Sequence, residues 1–354
     1  MLNRIEKIKS VLEETGAAVI LNPSNRFYLT GFNSSDGVLY VSKKRSLFLT
    51  DSRYIEAAKK TVTVTECALL HSLSAQIKDL AQEDGITSLY LENDYVSIFT
   101  ANKLTQATGL EFSKENILSE TINSMRAVKT VDELKLITEA QELTDKTFLY
   151  ALSRIEVGRT ERDIMLEMEY YMRKMGSEGV AFDFIVASGK NSSLPHAVPT
   201  DKKIERGDFV TMDFGAVCGG YRSDMTRTVA VGIADERQRL CYNTVLSAQK
   251  AAISFMADNR KCSDVDKAAR DVIDATEFKG MFGHALGHSV GIDIHESPAC
   301  SPNSSDVLRS GMVMTAEPGI YIEDTYGVRI EDLLIITENG TVNLTKSKKD
   351  LIII

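Results

Sequence analysis

The chain has 354 residues, enough for two domains of ordinary size that each bury an apolar core. Its 50 acidic and 41 basic residues give a formal net charge of −9, which argues against a nucleic-acid partner because phosphate-backbone binding needs an excess of basic side chains. Apolar residues make up 43% and charged residues 26%, and these ordinary proportions exclude collagen-like, coiled-coil and disordered classes.

No apolar run approaches the roughly 20 residues that a membrane-spanning helix needs, so we expect no membrane partner. Residues 1–16 are charged throughout, which predicts an amphipathic helix and not a signal peptide. The five cysteines are scattered and contain no Cys-x-x-Cys pair, so we expect no disulfide framework. These features together predict a cytoplasmic protein.

The first 120 residues alternate short β-like runs with helical ones, a pattern typical of an α/β domain. Helices are predicted at residues 73–83 and 95–107, and the cluster Asn22-Pro23-Ser24-Asn25 predicts a turn. The predicted strands are Ala17–Asn22, Gly37–Val41, Ser46–Thr50, Val62–Cys67 and Ser88–Leu91.

The pattern changes near residue 120, and we predict one domain over residues 1–123 and a second over 124–354. Thr130 and Glu133 have the spacing of a capping box, which predicts the start of a helix. A later helix, predicted to begin near Thr160, carries four methionines spaced so that they form one buried face. These methionines are Met165, Met168, Met172 and Met175.

Residues 209–231 predict a β-hairpin with Cys218-Gly219 as its two-residue loop. This register places Asp213 directly opposite Asp224, with Cβ atoms about 4.5–5.5 Å apart. Two like charges so placed repel each other, and a cation held between them removes the conflict. For this hairpin alone, two solvated carboxylates on an exposed sheet face are the alternative.

A second turn, around Asp324–Gly327, lies between the apolar runs 312–316 and 333–336. Glu317 and Glu331 stand at the inner ends of these runs, on either side of the turn. A glutamate beside strands this apolar needs a partner.

Between the two hairpins, residues 283–296 hold His284, His288 and His295 among glycines and other small residues. Glycine lets the backbone approach a ligand closely. The four carboxylates and one neutral imidazole balance two divalent cations, which predicts a dinuclear site that activates water for hydrolysis. Oxygen-rich ligation favours Mn²⁺, Fe²⁺ or Co²⁺, with Zn²⁺ as an alternative.

At these residues the sequence resembles the pita-bread metallopeptidases, and within them the Xaa-Pro peptidases, prolidase and aminopeptidase P. Segments 25–31 (NRFYLTG) and 49–54 (LTDSRY) resemble the creatinase-like N-terminal domain, and 125–134 (MRAVKTVDEL) resembles the linker to the catalytic domain. The catalytic-domain motifs are Leu194–His196, Met212–Gly215, Tyr221–Arg227, Gly287–Gly291, His295–Pro298, Glu317–Gly319 and Gly327–Asp332. The resemblance implies an α/β (α+β) fold, with a creatinase-like N-terminal α/β domain before a pita-bread catalytic domain.

The resemblance also implies the roles of the site residues and a cofactor of two divalent ions, with Mn²⁺ as the first choice. His196 and His295 are implied to bind the substrate and to stabilise the tetrahedral intermediate, and Glu317 is implied to be catalytic as well as a ligand. His284 and Arg329 are expected beside the ligands, with Arg329 orienting Glu331. The implied ligands are Asp213, Asp224, His288, Glu317 and Glu331, with Asp224 and Glu331 bridging the ions.

The implied reaction is hydrolysis of the bond between an N-terminal residue and proline in short peptides, by a homodimer. Many prolidases carry an arginine where Ala299 stands, and that arginine grips the carboxylate of a dipeptide. Its absence favours aminopeptidase P, with Xaa-Pro dipeptidase as the alternative. A metal-free binding protein on the same fold is a remote third hypothesis, which the retention of all five ligand types opposes.

Overall fold

The computed structural model describes residues 2–354, which divide by their internal contacts into two units, one ending at Arg126 and the other beginning at Ala127. Within the described residues, no helix has both the length and the apolar character needed to cross a membrane.

The first unit alternates helices and strands. Its elements are α1 (Leu2–Val11), β1 (Gly16–Ile20), α2 (Pro23–Thr30), β2 (Val38–Ser42), β3 (Ser46–Thr50), α3 (Ile55–Thr61), β4 (Glu66–Leu69), α4 (Leu73–Asp84), β5 (Ser88–Leu91), α5 (Ile98–Thr108), β6 (Glu111–Phe112) and α6 (Ile117–Ala127). The strands form one six-stranded mixed sheet in the order β4-β3-β2-β1-β5-β6. All five residues of β1 are buried, as is usual for a central strand covered on both faces.

Two local predictions in this unit were wrong. Asn22 caps α2, its side chain accepting hydrogen bonds from the backbone N–H groups of Ser24 and Asn25, so the predicted turn is the start of a helix with Pro23 in its first turn. Strand β4 begins only at Glu66, because the Val62 N–H donates to the Ala58 carbonyl and Val62 ends α3.

The second unit places helices against two antiparallel sheets. Its elements are α7 (Val131–Leu152), α8 (Glu161–Lys174), β7 (Ile185–Ser188), a 3₁₀ helix (Gly189–Ser193), β8 (Phe209–Phe214), β9 (Val217–Cys218), β10 (Tyr221–Arg222), β11 (Met225–Ala230), α9 (Glu236–Phe255), α10 (Cys262–Asp274), β12 (Gly287–Ser289), β13 (Glu296–Cys300), β14 (Val313–Ala316), β15 (Gly319–Ile322), β16 (Tyr326–Arg329), β17 (Asp332–Thr337) and β18 (Gly340–Asn343). Apart from the two-stranded sheets β9-β10 and β15-β16, one sheet has the strand order β11-β8-β7 and the other β13-β12-β14-β17-β18.

Each of these sheets has its own apolar core. Helices α7 and α8 contribute to the core of the three-stranded sheet, while α9 and α10 contribute to the core that includes the five-stranded sheet. Met168 and Met172 are fully buried in the first of these cores, as predicted. Met165 is half-buried, and Met175 is 43% exposed because α8 ends before it, so only two of the four predicted methionines are fully buried. The predicted capping box of Thr130 and Glu133 is present at the start of α7.

Candidate active site

The first hairpin has a different register from the predicted one. Gly219 and Gly220 both have positive φ, +55° and +77°, and form the two-residue loop, the geometry in which glycine is favoured. Cys218 therefore remains in β9 and pairs with Tyr221. Asp213 faces Thr226 and not Asp224, so the two aspartates are diagonal neighbours.

The second hairpin has the predicted arrangement. The pairs Ala316–Asp332 and Gly319–Arg329 follow one register, which places Glu317 and Glu331 opposite each other between them. The Glu331 N–H donates to the Thr226 carbonyl (3.1 Å), so this hairpin is joined to the first one at the acidic residues.

His288 comes to these carboxylates from β12. Its Nε2 lies 3.6 Å from Oδ2 of Asp224 and 3.3 Å from Oε1 of Glu317. Three possible ligand atoms lie within 4.8 Å of one another, one each from Asp224, His288 and Glu331. At this spacing, one ion can bind all three. The backbone N–H of His288 donates to Oγ1 of Thr315 (3.0 Å), which fixes the start of the histidine side chain.

A cavity of about 990 Å³ brings the predicted residues together. It is lined by the five predicted ligands and by the other predicted site residues. These are Asp213, Asp224, His288, Glu317 and Glu331, with His196, His284, His295 and Arg329. Much of the remaining wall is apolar, with Val180, Phe182, Phe184, Pro195 and Ile294 among its side chains.

Two carboxylate oxygens of this cavity lack donors within the described part of the chain. Burial raises the pKa of Asp224 and Glu331 well above ordinary values, and the neighbouring carboxylates reinforce the shift. Among the described residues, Oδ1 of Asp213 and Oε1 of Glu331 are buried without a hydrogen-bond partner. Buried carboxylates without donors are costly, and cations remove that cost. The donor set of oxygens and one imidazole therefore fits divalent metal ions.

Glu317 and His288 form a coupled pair. Burial opposes the ionisation of Glu317, but the hydrogen bond with His288 and the positive charges nearby together outweigh it and hold the pKa of this carboxyl below its ordinary value. Burial likewise opposes protonation of His288, yet its contact with Glu317 raises the pKa of the imidazole to about 9. In the absence of an ion, the proton thus stays on the imidazole.

Arg329 directly contacts a different carboxylate from the predicted one. Its Nη2 donates to Oδ2 of Asp213 (2.7 Å), and its Nε donates to Oγ1 of Thr226 (3.0 Å). The Thr226 hydroxyl in turn donates to Oε2 of Glu331 (2.7 Å). Arg329 thus contacts Asp213 directly and reaches Glu331, the carboxylate that it was predicted to orient, through the Thr226 hydroxyl.

Tyr321 is a site residue that the sequence analysis missed. Its hydroxyl accepts a hydrogen bond from Nη1 of Arg329 (2.8 Å) and lies 2.9 Å from Nε2 of His284. It therefore connects the two residues predicted to lie beside the ligands. The signal was available, because Glu317 and Tyr321 are four residues apart along a strand segment and so share a face.

Two protein families match this chain. Residues 135–338 match the metallopeptidase family M24, and residues 4–128 match the creatinase/prolidase N-terminal domain. The chain belongs to the M24 metallopeptidases. The predicted fold class, a creatinase-like N-terminal domain followed by a pita-bread catalytic domain, is confirmed.

This M24 peptidase is similar to relatives over its whole length. It is 37% identical to the Xaa-Pro dipeptidase of Pyrococcus horikoshii, over 98% of this chain and 99% of that protein. The structure of the Xaa-Pro dipeptidase from Bacillus anthracis superposes with a TM-score of 0.95 at 38% identity, covering 100% of this chain and 99% of the other. That of the X-Pro aminopeptidase from Thermotoga maritima superposes with a TM-score of 0.90 at 33% identity, covering 99% and 100%.

His196 and His295 stand at the cavity wall of this M24 peptidase with their side chains partly open to solvent. The rings of His295 and His288 meet edge to face, with centroids 4.4 Å apart. Burial, and then the charge of His288, lower the pKa of His295, so this ring is neutral at physiological pH. Ala299 pairs with His288 across β12 and β13 and brings no charge to the cavity.

Proposed function

We propose that this M24 metallopeptidase is a two-metal Xaa-Pro dipeptidase, which hydrolyses a dipeptide whose second residue is proline. The observation that carries the proposal is a buried group of carboxylates, two of whose oxygens have no donor among the described residues, in an apolar-walled cavity. Full-length relatives named Xaa-Pro dipeptidase support the substrate class.

The proposed metal ligands are the five residues that the sequence implies. Their four carboxylates bring a charge of −4, and the neutral imidazole of His288 adds a nitrogen donor, which together suit two divalent cations. When bound, such ions supply Lewis-acid polarisation of a carbonyl and a nucleophilic water at neutral pH. Mn²⁺ is the proposed metal because the donor set is rich in oxygen, with Co²⁺, Fe²⁺ and Zn²⁺ as alternatives. The ligands are Asp213, Asp224, His288, Glu317 and Glu331.

Three residues are proposed to act on the substrate itself. His196 and His295, which both line the cavity, donate hydrogen bonds to the peptide as negative charge develops on its carbonyl oxygen. Glu317, whose carboxylate lines the cavity, accepts a proton.

The wall of the cavity suits proline. An Xaa-Pro bond has no N–H to donate, and the ring fixes φ, so recognition depends on an apolar surface that fits the ring. Phe182, Phe184 and Ile294 offer that surface. The trans isomer, which dominates Xaa-Pro peptides, is the proposed substrate form.

Aminopeptidase P remains the second candidate, because Ala299 supplies no cation for the carboxylate of a dipeptide. Arg162, however, lines the same cavity and can supply that cation. Its Nε donates to Asp201 (2.8 Å), while its two Nη atoms have no partner among the described residues. We therefore assign to Arg162 the free carboxylate of the dipeptide.

Three further expectations belong to the proposal. The five cysteines form no disulfide within the described residues, and free thiols suit a reducing cytoplasm. A homodimer and a domain boundary at residues 123/124 are proposed from the resemblance and from the change in sequence pattern.

A paired cleavage assay tests the function. Protein saturated with Mn²⁺ is given Ala-Pro, Ala-Pro-Gly or Ala-Ala, and products are read by mass spectrometry, with a chelator-treated sample as the control. A dipeptidase cleaves Ala-Pro and leaves the other two. Release of Pro-Gly would identify aminopeptidase P, and no cleavage of either proline peptide would overturn the Xaa-Pro assignment.

A further inference from the structure

Lys129 and Glu296 have no part in the proposed chemistry, yet they form a buried ion pair beside the cavity. Nζ of Lys129 lies 3.2 Å from Oε2 of Glu296, and the two side chains are only 1% and 6% exposed. The same ammonium donates to Oγ of Ser289 (2.9 Å). A buried ion pair adds little net stability compared with apolar residues of the same size, so its presence calls for another explanation.

Lys129 stands on a fixed part of the fold. Its backbone N–H donates to the Gly311 carbonyl (2.9 Å), and Val128 forms a β-bridge with Met312, directly before β14. The next residue, Thr130, caps α7. The ammonium group therefore projects from a point that is held on both sides.

The partners of Lys129 close the connection between β12 and β13. Ser289 and Glu296 pair with each other across the two strands, and residues 290–295 run between them. The other oxygen of Glu296 accepts the N–H of Asp293 (3.2 Å). The carboxylate also lies against Gly291, where a Cβ atom would come within 2.5 Å of it. One carboxylate thus holds both the end and the interior of this segment.

His288 and His295 adjoin the residues that Lys129 binds. His288 directly precedes Ser289, and His295 directly precedes Glu296. The ring of His295 makes no hydrogen bond within the described part of the chain, so its place depends on its backbone and on the 4.4 Å contact with the ring of His288.

We infer that Lys129 and Glu296 are positioning residues, which set the ring of His295 against that of His288 in the cavity. The catalytic consequence rests on the proposed function, because it requires that His295 act on the substrate. A displacement of about 1 Å at a reacting group can cost on the order of a hundredfold in rate, so the pair affects kcat more than substrate binding.

The kinetic test uses K129M, E296Q and the double variant with Mn²⁺ and Ala-Pro. Each single variant is expected to lower kcat at least about tenfold and to change KM less than about threefold. The double variant should be no worse than the more damaged single variant, because the two residues act as one unit.

Lys202 provides a matched control. Its Nζ contacts Oδ2 of Asp208 (2.6 Å) and Oγ of Ser188 (3.0 Å), the same combination of partners, and these residues do not line the cavity. The K202M variant should lose thermal stability and keep kcat within about twofold of the parent.

A second readout needs neither metal nor activity. The chain has five histidines, so histidine-labelled protein gives a simple NMR spectrum. In the metal-free protein, E296Q should shift the ring resonances of His288 and His295 and leave those of His71, His196 and His284 in place.

A folded E296Q protein with unchanged kcat and unchanged histidine resonances would overturn the inference. So would a loss of kcat that only follows thermal stability, as in K202M. If the parent protein fails to cleave Ala-Pro, the proposed function is wrong, and the NMR comparison still decides whether the ion pair positions the histidines.

Discussion

Glu331 and Asp332 are adjacent buried carboxylates with opposite surroundings. Oδ1 of Asp332 accepts from Nη2 of Arg227 (2.8 Å), and Oδ2 accepts from Lys349 and Asn343 (both 2.6 Å). Burial opposes ionisation, but Arg227 and Lys349 outweigh it and hold the pKa of Asp332 below its ordinary value. Asp332 therefore belongs to a network whose charges are paired.

Glu331 belongs to a group of carboxylates that are only partly paired with cations. It accepts one hydrogen bond, from Thr226, and its Oε1 has no partner among the described residues. Burial, and then Asp224, raise its pKa well above the ordinary value. Successive residues of an extended chain point to opposite sides, so one residue step separates a structural network from the cavity.

Glu92 in the first unit shows that burial alone does not mark a site. Burial raises its pKa too, but both of its oxygens have donors, from the backbone N–H groups of Leu21 (2.7 Å) and Asn22 (2.9 Å) and from Nδ2 of Asn25 (2.8 Å). Missing hydrogen-bond donors, and not a raised pKa, therefore distinguish the carboxylates that are suited to bind a cation.

The largest effect is expected for Glu331→Gln. Removal of a residue beyond the ligands costs about 10- to 100-fold in affinity or activity, so loss of a proposed bridging ligand should lower kcat/KM by more than about a hundredfold. Metal content, measured by mass spectrometry after dialysis, should fall below that of the parent protein. Retained metal and activity would show that Glu331 is not a ligand.

Asp332→Asn tests the other side of the comparison. The variant leaves Arg227 and Lys349 buried without a carboxylate, which should lower the free energy of unfolding by about 3 kcal/mol. Chemical denaturation of the metal-free protein gives this value, with Glu331→Gln as the control, since that variant replaces a carboxyl that has no cationic partner and should not destabilise the protein. Equal destabilisation by both variants would contradict the distinction.

The pH dependence of the stability of the metal-free protein should be set mainly by Asp224 and Glu331. Because the pKa values of Asp224 and Glu331 are raised in the folded state, that state binds more protons than the unfolded one above about pH 4, and stability falls as the pH rises towards the raised values. His288 acts in the same direction, since its contribution is present below pH 6.5 and is lost as the pH rises through about 9. Glu317 and Asp332 act oppositely, losing their contributions only as the pH falls through their lowered pKa values.

Thermal unfolding in chelator across neutral pH measures this dependence. The midpoint should fall with rising pH in the parent protein and fall less in Asp224→Asn, which lacks one of the two carboxyls with strongly raised pKa values. A midpoint that rises equally in both proteins would show that the carboxylates are already neutralised by protein groups.

The smallest expected effect is a change in KM for Ala-Pro when Arg162 is replaced. Arg227 donates through Nε, Nη1 and Nη2, whereas Arg162 donates through Nε alone among the described residues. Arg162→Ala should raise the KM for Ala-Pro about fivefold, since a half-exposed ion pair is worth roughly 1 kcal/mol. Ala-Pro amide, which lacks the carboxylate, should be unaffected. Arg173→Ala on the same helix is the control, and an equal effect on the two substrates would exclude the assigned role.

The sequence predicted the second hairpin better than the first. Apolar runs on both sides of a turn placed Glu317 and Glu331 correctly, because burial constrains register. In the first hairpin, two adjacent glycines followed Cys218, and only the pair Gly219-Gly220 meets the positive φ of both loop positions. The loop lies one residue later than predicted, so the residue opposite Asp213 is Thr226 and not Asp224.

Side-chain contacts over long distances along the chain were beyond the sequence pattern. Arg329 is two residues from Glu331, which suggested direct contact, but its guanidinium reaches Asp213, 116 residues away in the chain. Lys129 and Glu296 both lie in motifs of the resemblance, yet nothing in their spacing indicated an ion pair across 167 residues.

The sequence by itself determined the residue types, their order along the chain, the fold class and the set of acidic residues and histidines that needed partners. These follow from composition, apolar periodicity and local turn chemistry, which act over a few residues. Only the tertiary structure decided which buried carboxylates received donors and which did not. Those donors come from remote segments, as Thr226 does for Glu331 across 105 residues, and only packing of the folded chain brings them together.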